Sequence, residues 1–139
     1  MPTIYIFDYD NDINYILCDW FQYHGYEVKG VTSHEQLLQQ LQISHPDCII
    51  LDSIFGGLSS TLNICHTIQY VFKYTGKIIL TSTTNLTASD VKLCNASLFM
   101  AKPFNLSEVV TEVNRLLTSP RNEYTINKVT YPDAHSHIQ

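Results

Sequence analysis

The chain has 139 residues, 45% of them hydrophobic and 15% charged, with a formal net charge of -5. That length and apolar fraction suit one compact domain with a sizeable core, and the acidic balance removes the basic footprint that non-specific nucleic-acid binding requires. No apolar run approaches the roughly 18 residues of a membrane-spanning helix, and the N-terminus carries no basic segment followed by an apolar stretch, so a cytoplasmic protein with no direct nucleic-acid or membrane contact is expected.

The first apolar run, TIYIFD, ends in Asp8, and further acids follow at Asp10 and Asp12 with Tyr9 between the first two. Ile13, Ile16, Leu17, Trp20 and Phe21 then recur at i, i+3, i+4, i+7 and i+8, the apolar stripe of a helix. The run YEVKGV reads as a second strand, and Ser33 with Gln36 has the spacing of a capping box ahead of Leu37, Leu38 and Leu41. The third run, DCIILD, is almost continuously apolar until Asp52. Ile64, Ile68, Val71 and Phe72 predict a third helix, KIILTS a fourth strand, Thr87 to Leu93 a short fourth helix, and SLFMAK a weaker fifth strand. Asn105 can cap the last helix, on which Leu106, Val109, Val110, Val113, Leu116 and Leu117 share a face. Pro120 stops it, which divides the chain into a domain over residues 1–119 and a tail over 120–139 expected to be mobile or loosely docked. Cys18, Cys48, Cys65 and Cys94 form no C-x-x-C pair, which fits reduced, mostly buried thiols.

Strands alternating with helices imply right-handed crossovers and a parallel sheet covered on both sides. The unbroken apolar character of CIIL and KIIL agrees, because central parallel strands are buried on both faces. In such α/β sheets ligands sit beyond the carboxyl ends of the strands. The residues there are Asp8 and Asp10, Asp52, Thr81 and Ser82, and Lys102. Two close carboxylates repel by about 4 kcal/mol at ~4 Å and an effective dielectric of ~20, so a cation between them is expected. Magnesium suits oxygen ligands and keeps several waters, and Lys102 supplies a fixed positive charge. The set has the parts of a phosphoryl site: a nucleophilic carboxylate, a metal, a lysine and a hydroxyl.

The spacing of IYIFD, DCIILD, IILTS and FMAKPF, with Asp52 about 50 residues before Lys102, resembles the receiver domain of bacterial two-component response regulators over roughly residues 3 to 118. The resemblance implies a flavodoxin-like (βα)5 α/β sandwich with strand order 2-1-3-4-5. It implies that Asp52 accepts a phosphoryl group from a histidine kinase or phosphotransfer protein, and that Asp8, Asp52 and the backbone carbonyl of Ile54 hold Mg2+. Lys102 would pair with the phosphoryl group, Thr81 would turn toward it, and Phe99 would be the aromatic switch repacking the surface of the fourth helix, fifth strand and fifth helix for a downstream protein. Homodimerisation through the last helix is also in keeping with the resemblance.

Two departures bear on the metal. Tyr9 stands where the family has an acid, and a phenol is a poor ligand for a hard cation; Asp10 is the candidate to compensate. Gly56 stands where proline is common, which loosens the loop after Asp52. A degenerate receiver that binds a partner without phosphorylation is therefore the alternative. A haloacid-dehalogenase-like phosphatase using Asp8 and Asp10 is a further reading, but it lacks the downstream acid pair and leaves Asp52 unexplained.

Overall fold

A computed structural model of the protein describes residues 1–53 and 57–118. Each apolar run is a strand and each periodic segment a helix: β1 (Thr3–Phe7), α1 (Asn11–Tyr23), β2 (Glu27–Val31), α2 (His34–Ile43), β3 (Cys48–Asp52), α3 (Gly57–His66), β4 (Lys77–Ser82), α4 (Ala88–Leu93), β5 (Leu98–Ala101) and α5 (Leu106–Thr118). All five strands are parallel, in the order β2-β1-β3-β4-β5. This is the flavodoxin-like arrangement expected from the sequence. The tail over 120–139, Ile54 and Gly56 lie outside the described residues.

Strand alternation divides the core into two layers. Ile4, Ile6, Cys48, Ile50, Ile79, Leu98 and Met100 face α1 and α5, meeting Leu17, Phe21, Val109, Val113 and Leu116. Tyr5, Phe7, Ile49, Leu51, Ile78, Leu80 and Phe99 face the other way, against residues of α2, α3 and α4 such as Leu37, Cys65 and Val91. Every residue of β3 is buried, the physical reason for its lack of alternation in hydropathy.

The caps match the sequence signals. Ser33 accepts the Gln36 N–H at 3.1 Å, although the Gln36 side chain reaches back to the Thr32 N–H rather than to Ser33. Thr87 and Asp90 form a reciprocal capping box on α4, and Asn105 accepts the Ser107 N–H at 2.8 Å.

The expected third stripe breaks in the middle. After α3 the chain passes into a turn of π-helix over Thr67–Val71, with Phe72 N–H bonded to the Thr67 carbonyl. The wider turn advances the register, so Ile68 stays inside while Val71 is 69% exposed. Tyr70 and Tyr74 are separated in the same way, Tyr70 facing solvent and Tyr74 buried with its hydroxyl donating to the Lys77 carbonyl at 3.1 Å.

The α1 stripe is also rotated from expectation. Ile16 is partly exposed and Asn14 is buried in its stead. The Asn14 amide donates to the Val31 carbonyl at 2.8 Å and to the Asp8 carbonyl at 3.2 Å, joining β2, α1 and the end of β1. Gly30 makes the close approach feasible, because a Cβ there would lie 2.5 Å from Asn14 Oδ1 and 2.8 Å from Cys18 Sγ. At its other end α1 is tied to α5 by Trp20 Nε1–H donating to the Leu106 carbonyl at 2.9 Å.

Ile50 lies on the central strand, buried against both outer helices of its layer. Ile50→Ala is expected to lower unfolding free energy by about 2–5 kcal/mol, read from the midpoint shift in urea denaturation; a loss below about 1 kcal/mol would mean the core collapses around the gap.

Candidate functional site

The carboxyl ends of β1, β3 and β5 bring Asp8, Asp52 and Lys102 together. Both acids are almost wholly buried, at 2% and 3% exposure. The Lys102 ammonium lies 2.8 Å from Asp8 Oδ2 and 3.3 Å from Asp52 Oδ1, so residues 94 positions apart in sequence make a direct charged hydrogen bond. The lysine is held by its backbone as well, its N–H donating to the Ser82 carbonyl at 2.8 Å. The Asp8 carboxylate also accepts the Asp10 N–H at 2.8 Å, and Asp52 Oδ2 takes a long contact of 3.4 Å from the Tyr9 N–H.

Two acids share one lysine in a place largely removed from water. Burial raises the Asp8 pKa, the Lys102 bond and the Asp10 N–H pull it back, and the neighbouring Asp52 charge pushes it up again; the balance stays above the ordinary carboxylate value of 3.8.

Tyr9 and Asp10 are both turned away from this cluster. The Tyr9 ring packs edge-on against Phe7, with centroids 4.6 Å apart, and its hydroxyl lies 3.2 Å from His34 Nε2 at the start of α2. Burial pushes the Tyr9 phenol up and the His34 imidazole down, which favours a neutral contact. The Asp10 carboxylate accepts the N–H groups of Asp12 and Ile13 at 2.9 and 3.2 Å, capping α1. The unpaired N–H groups at the helix start thus compete with a metal for the Asp10 oxygens. Among the described residues, no group of three or more His, Cys, Asp or Glu side chains could hold a metal. Two convergent carboxylates still fit magnesium, which takes one or two protein carboxylates and completes its octahedron with water. The Ile54 carbonyl, expected as a further ligand, lies outside the described residues.

The hydroxyls divide between the faces of the sheet. Thr81 is paired in register with Asp52 and Met100 and so shares their side, whereas Phe99 pairs with Leu80 on the opposite side. Ser82, one residue on, shares the Phe99 face, and its hydroxyl lies 2.9 Å from Thr84 Oγ1 while accepting the Thr84 N–H at 3.0 Å. Phe99 has no exposure at all and is already packed in the core. His34 and Asn14 are the residues that reading the sequence did not assign to the site. The lone amide in the α1 stripe could have flagged Asn14.

A family model described as "Response regulator receiver domain" matches residues 4–114. The chain belongs to this family. A putative response regulator from Chloroflexus aurantiacus is similar in structure, with 28% identity, a TM-score of 0.73, and coverage of 85% of this chain and 98% of that one. A two-component response regulator from Clostridium difficile superposes with a TM-score of 0.76 at 22% identity, covering 84% and 96%. One from Thermotoga maritima gives 0.74 at 18% identity, covering 86% and 99%. No curated protein sequence matches the chain. Receiver domains are signalling modules that exchange phosphoryl groups with histidine kinases or phosphotransfer proteins, and they generally bind Mg2+ at the phosphorylation site. The phosphatase reading falls with the family match and with the capping role of Asp10.

The raised Asp8 pKa gives this receiver a pH signature. Asp8 favours the fold fully below its unfolded value of 3.8, and that contribution is lost as pH rises through the higher folded value. In metal-free buffer, the urea midpoint of Asp8→Asn relative to wild type is expected to climb as pH rises above about 4. Parallel curves for the two proteins would show that Lys102 neutralises Asp8 completely.

Proposed function

We propose that the protein is a phosphoacceptor receiver in which Asp52 takes the phosphoryl group of a histidine kinase or phosphotransfer protein in the cytoplasm. The observation that carries this reading is the Lys102 ammonium lying within 3.3 Å of Asp52 and 2.8 Å of Asp8. An Asp52 oxygen would attack phosphorus, the P–N bond to the donor imidazole would break, and the imidazole would leave as the nitrogen base. Lys102 would follow the new negative charge, exchanging part of its contact with Asp8 for a phosphoryl oxygen. Asp8 and Asp52, with the backbone carbonyl at Ile54, would hold Mg2+. The metal would neutralise charge on the transferred oxygens.

The added charge of about -1.5 to -2 would also attract a hydroxyl from β4. The reading favours Thr81, which is paired in register with Asp52 and shares its side of the strands. Because Phe99 starts inside the core, the change at the surface would fall on α4, β5 and α5, the face offered to a downstream protein. A dimer through α5 would have to use its outer residues, such as Glu108, Thr111 and Asn114, since Val109, Val113 and Leu116 pack on the sheet.

Acetyl phosphate or beryllofluoride with Mg2+ tests the reading. Wild type is expected to gain an adduct that Asp52→Asn lacks, seen by mass spectrometry or by amide shifts in residues 81–104. The degenerate-module alternative draws on Tyr9 and Asp10, both directed elsewhere, and it requires that no adduct forms in wild type.

Tyr9→Asp is expected to tighten Mg2+ binding on the order of tenfold by restoring a carboxylate, measured by NMR titration. An unchanged affinity would mean that the backbone at position 9 does not aim a side chain at the metal.

A further inference from the structure

The sheet ends at β2, which pairs with β1 on one side; among the described residues no strand covers its other side. The Glu27 N–H donates to the Pro2 carbonyl at 3.0 Å. Bonding alternates along a parallel pair, so Glu27, Lys29 and Val31 serve β1, while the N–H and C=O groups of Val28 and Gly30 point out from the edge. Glu27, Lys29 and Gly30 are exposed and Val28 is half-buried. A cleft of about 540 Å³ lies along the strand, walled by Gln22 of α1 and by Ser44 just after α2, with Val28 and Lys29 between them. Ile43, the last residue of α2, is 76% exposed. It lies two helical turns from Gln36, whose side chain accepts the Thr32 N–H at the end of β2, so both residues sit on the flank of α2 nearest the open edge.

We propose that two copies of the chain join through β2, the two strands running antiparallel about a two-fold axis at Val28, so that one sheet continues into the other. Such an axis sets Glu27 opposite Lys29 of the second copy, and Lys29 opposite its Glu27, on both sides of the symmetric contact. The two Val28 residues exchange a pair of N–H to carbonyl bonds. Each Gly30 N–H reaches the Tyr26 carbonyl of the other copy, the Tyr26 N–H being already given to the Phe21 carbonyl at 3.1 Å.

Charge decides the register. An axis at Lys29 would also bring outward-facing Val28 and Gly30 together, but it would set the two lysines against each other, and like charges directly opposite are unfavourable. A lysine on an edge strand ordinarily keeps other strands away. Here an acid stands two residues before it, so the guard admits a strand with the reverse order of signs, and an antiparallel copy of β2 has that order. On pairing, Ile43 comes to face the second copy and its exposed surface is covered. β2 and β5 lie at opposite ends of the sheet, so the contact leaves the surface of α4, β5 and α5 open and does not depend on phosphorylation.

Sedimentation equilibrium of the full chain, without Mg2+ or phosphoryl donor, is expected to show a monomer–dimer equilibrium as concentration rises to about 1 mM, and the Val28 and Gly30 amides should exchange more slowly with solvent as the dimer forms. Lys29→Glu and Glu27→Lys each alter an exposed side chain. Either variant is expected to keep the wild-type circular dichroism and to weaken self-association about tenfold or more, because both attractions become repulsions. An equimolar mixture of the two variants should associate as strongly as wild type, since every acid then faces a lysine again. A wild type that stays monomeric, variants that dimerise unchanged, a mixture no stronger than its components, or amide protection on α5 in place of β2 would each overturn the pairing.

Discussion

A single ammonium group stands between two buried carboxylates in this receiver, and the surrounding structure can be understood as the means of holding it there. Removing charges from water is costly, and a buried pair repays that cost only when geometry and extra hydrogen bonds are good. Lys102 is therefore fixed at both ends, by its backbone bond to Ser82 and by its side-chain contacts with Asp8 and Asp52. Asp8 receives a second bond from the Asp10 N–H. The three groups come from strands β1, β3 and the end of β5, so their meeting depends on the sheet order that sets β3 beside β1 and carries the chain across β4 to β5.

With one lysine for two acids, the cluster retains an excess of negative charge when both carboxylates are ionised. Burial first, and the neighbouring Asp52 charge after it, raise the Asp8 pKa. A divalent cation would relieve it, which gives affinity for Mg2+ a physical basis even though Tyr9 and Asp10 face elsewhere. The same diversion has a structural benefit: the Tyr9 hydroxyl reaches His34 and the Asp10 carboxylate satisfies two helix N–H groups, so the loop after β1 is pinned to α2 and to α1 at once.

Strand and helix order, the parallel sheet and the convergence of Asp8, Asp52 and Lys102 were legible because each acid or amine interrupts an apolar run at its carboxyl end. Finer features were not. Whether Thr81 or Ser82 joins the Phe99 face depends on strand parity, which composition does not carry across two adjacent hydroxyls. Val71 fits the helical stripe of its neighbours, and only the π turn moves it outward. Asp10 has the same carboxylate whether it caps a helix or binds a metal, and the competition is decided by distances within the folded loop. Asn14 sits in an apolar stripe as a polar exception, and its worth emerges only when the carbonyls of Val31 and Asp8 are seen beside it.

That amide makes an edge strand part of the acidic rim's support. Gly30 has no chemistry of its own, yet its missing side chain lets α1 settle close enough for Asn14 to grip the peptide carbonyl of Asp8. A methyl group there would act as a wedge, lifting the helix and tilting the acid that it steadies. The spacing between an outer strand and its neighbouring helix thus works as a height adjustment for a carboxylate that neither of them contains.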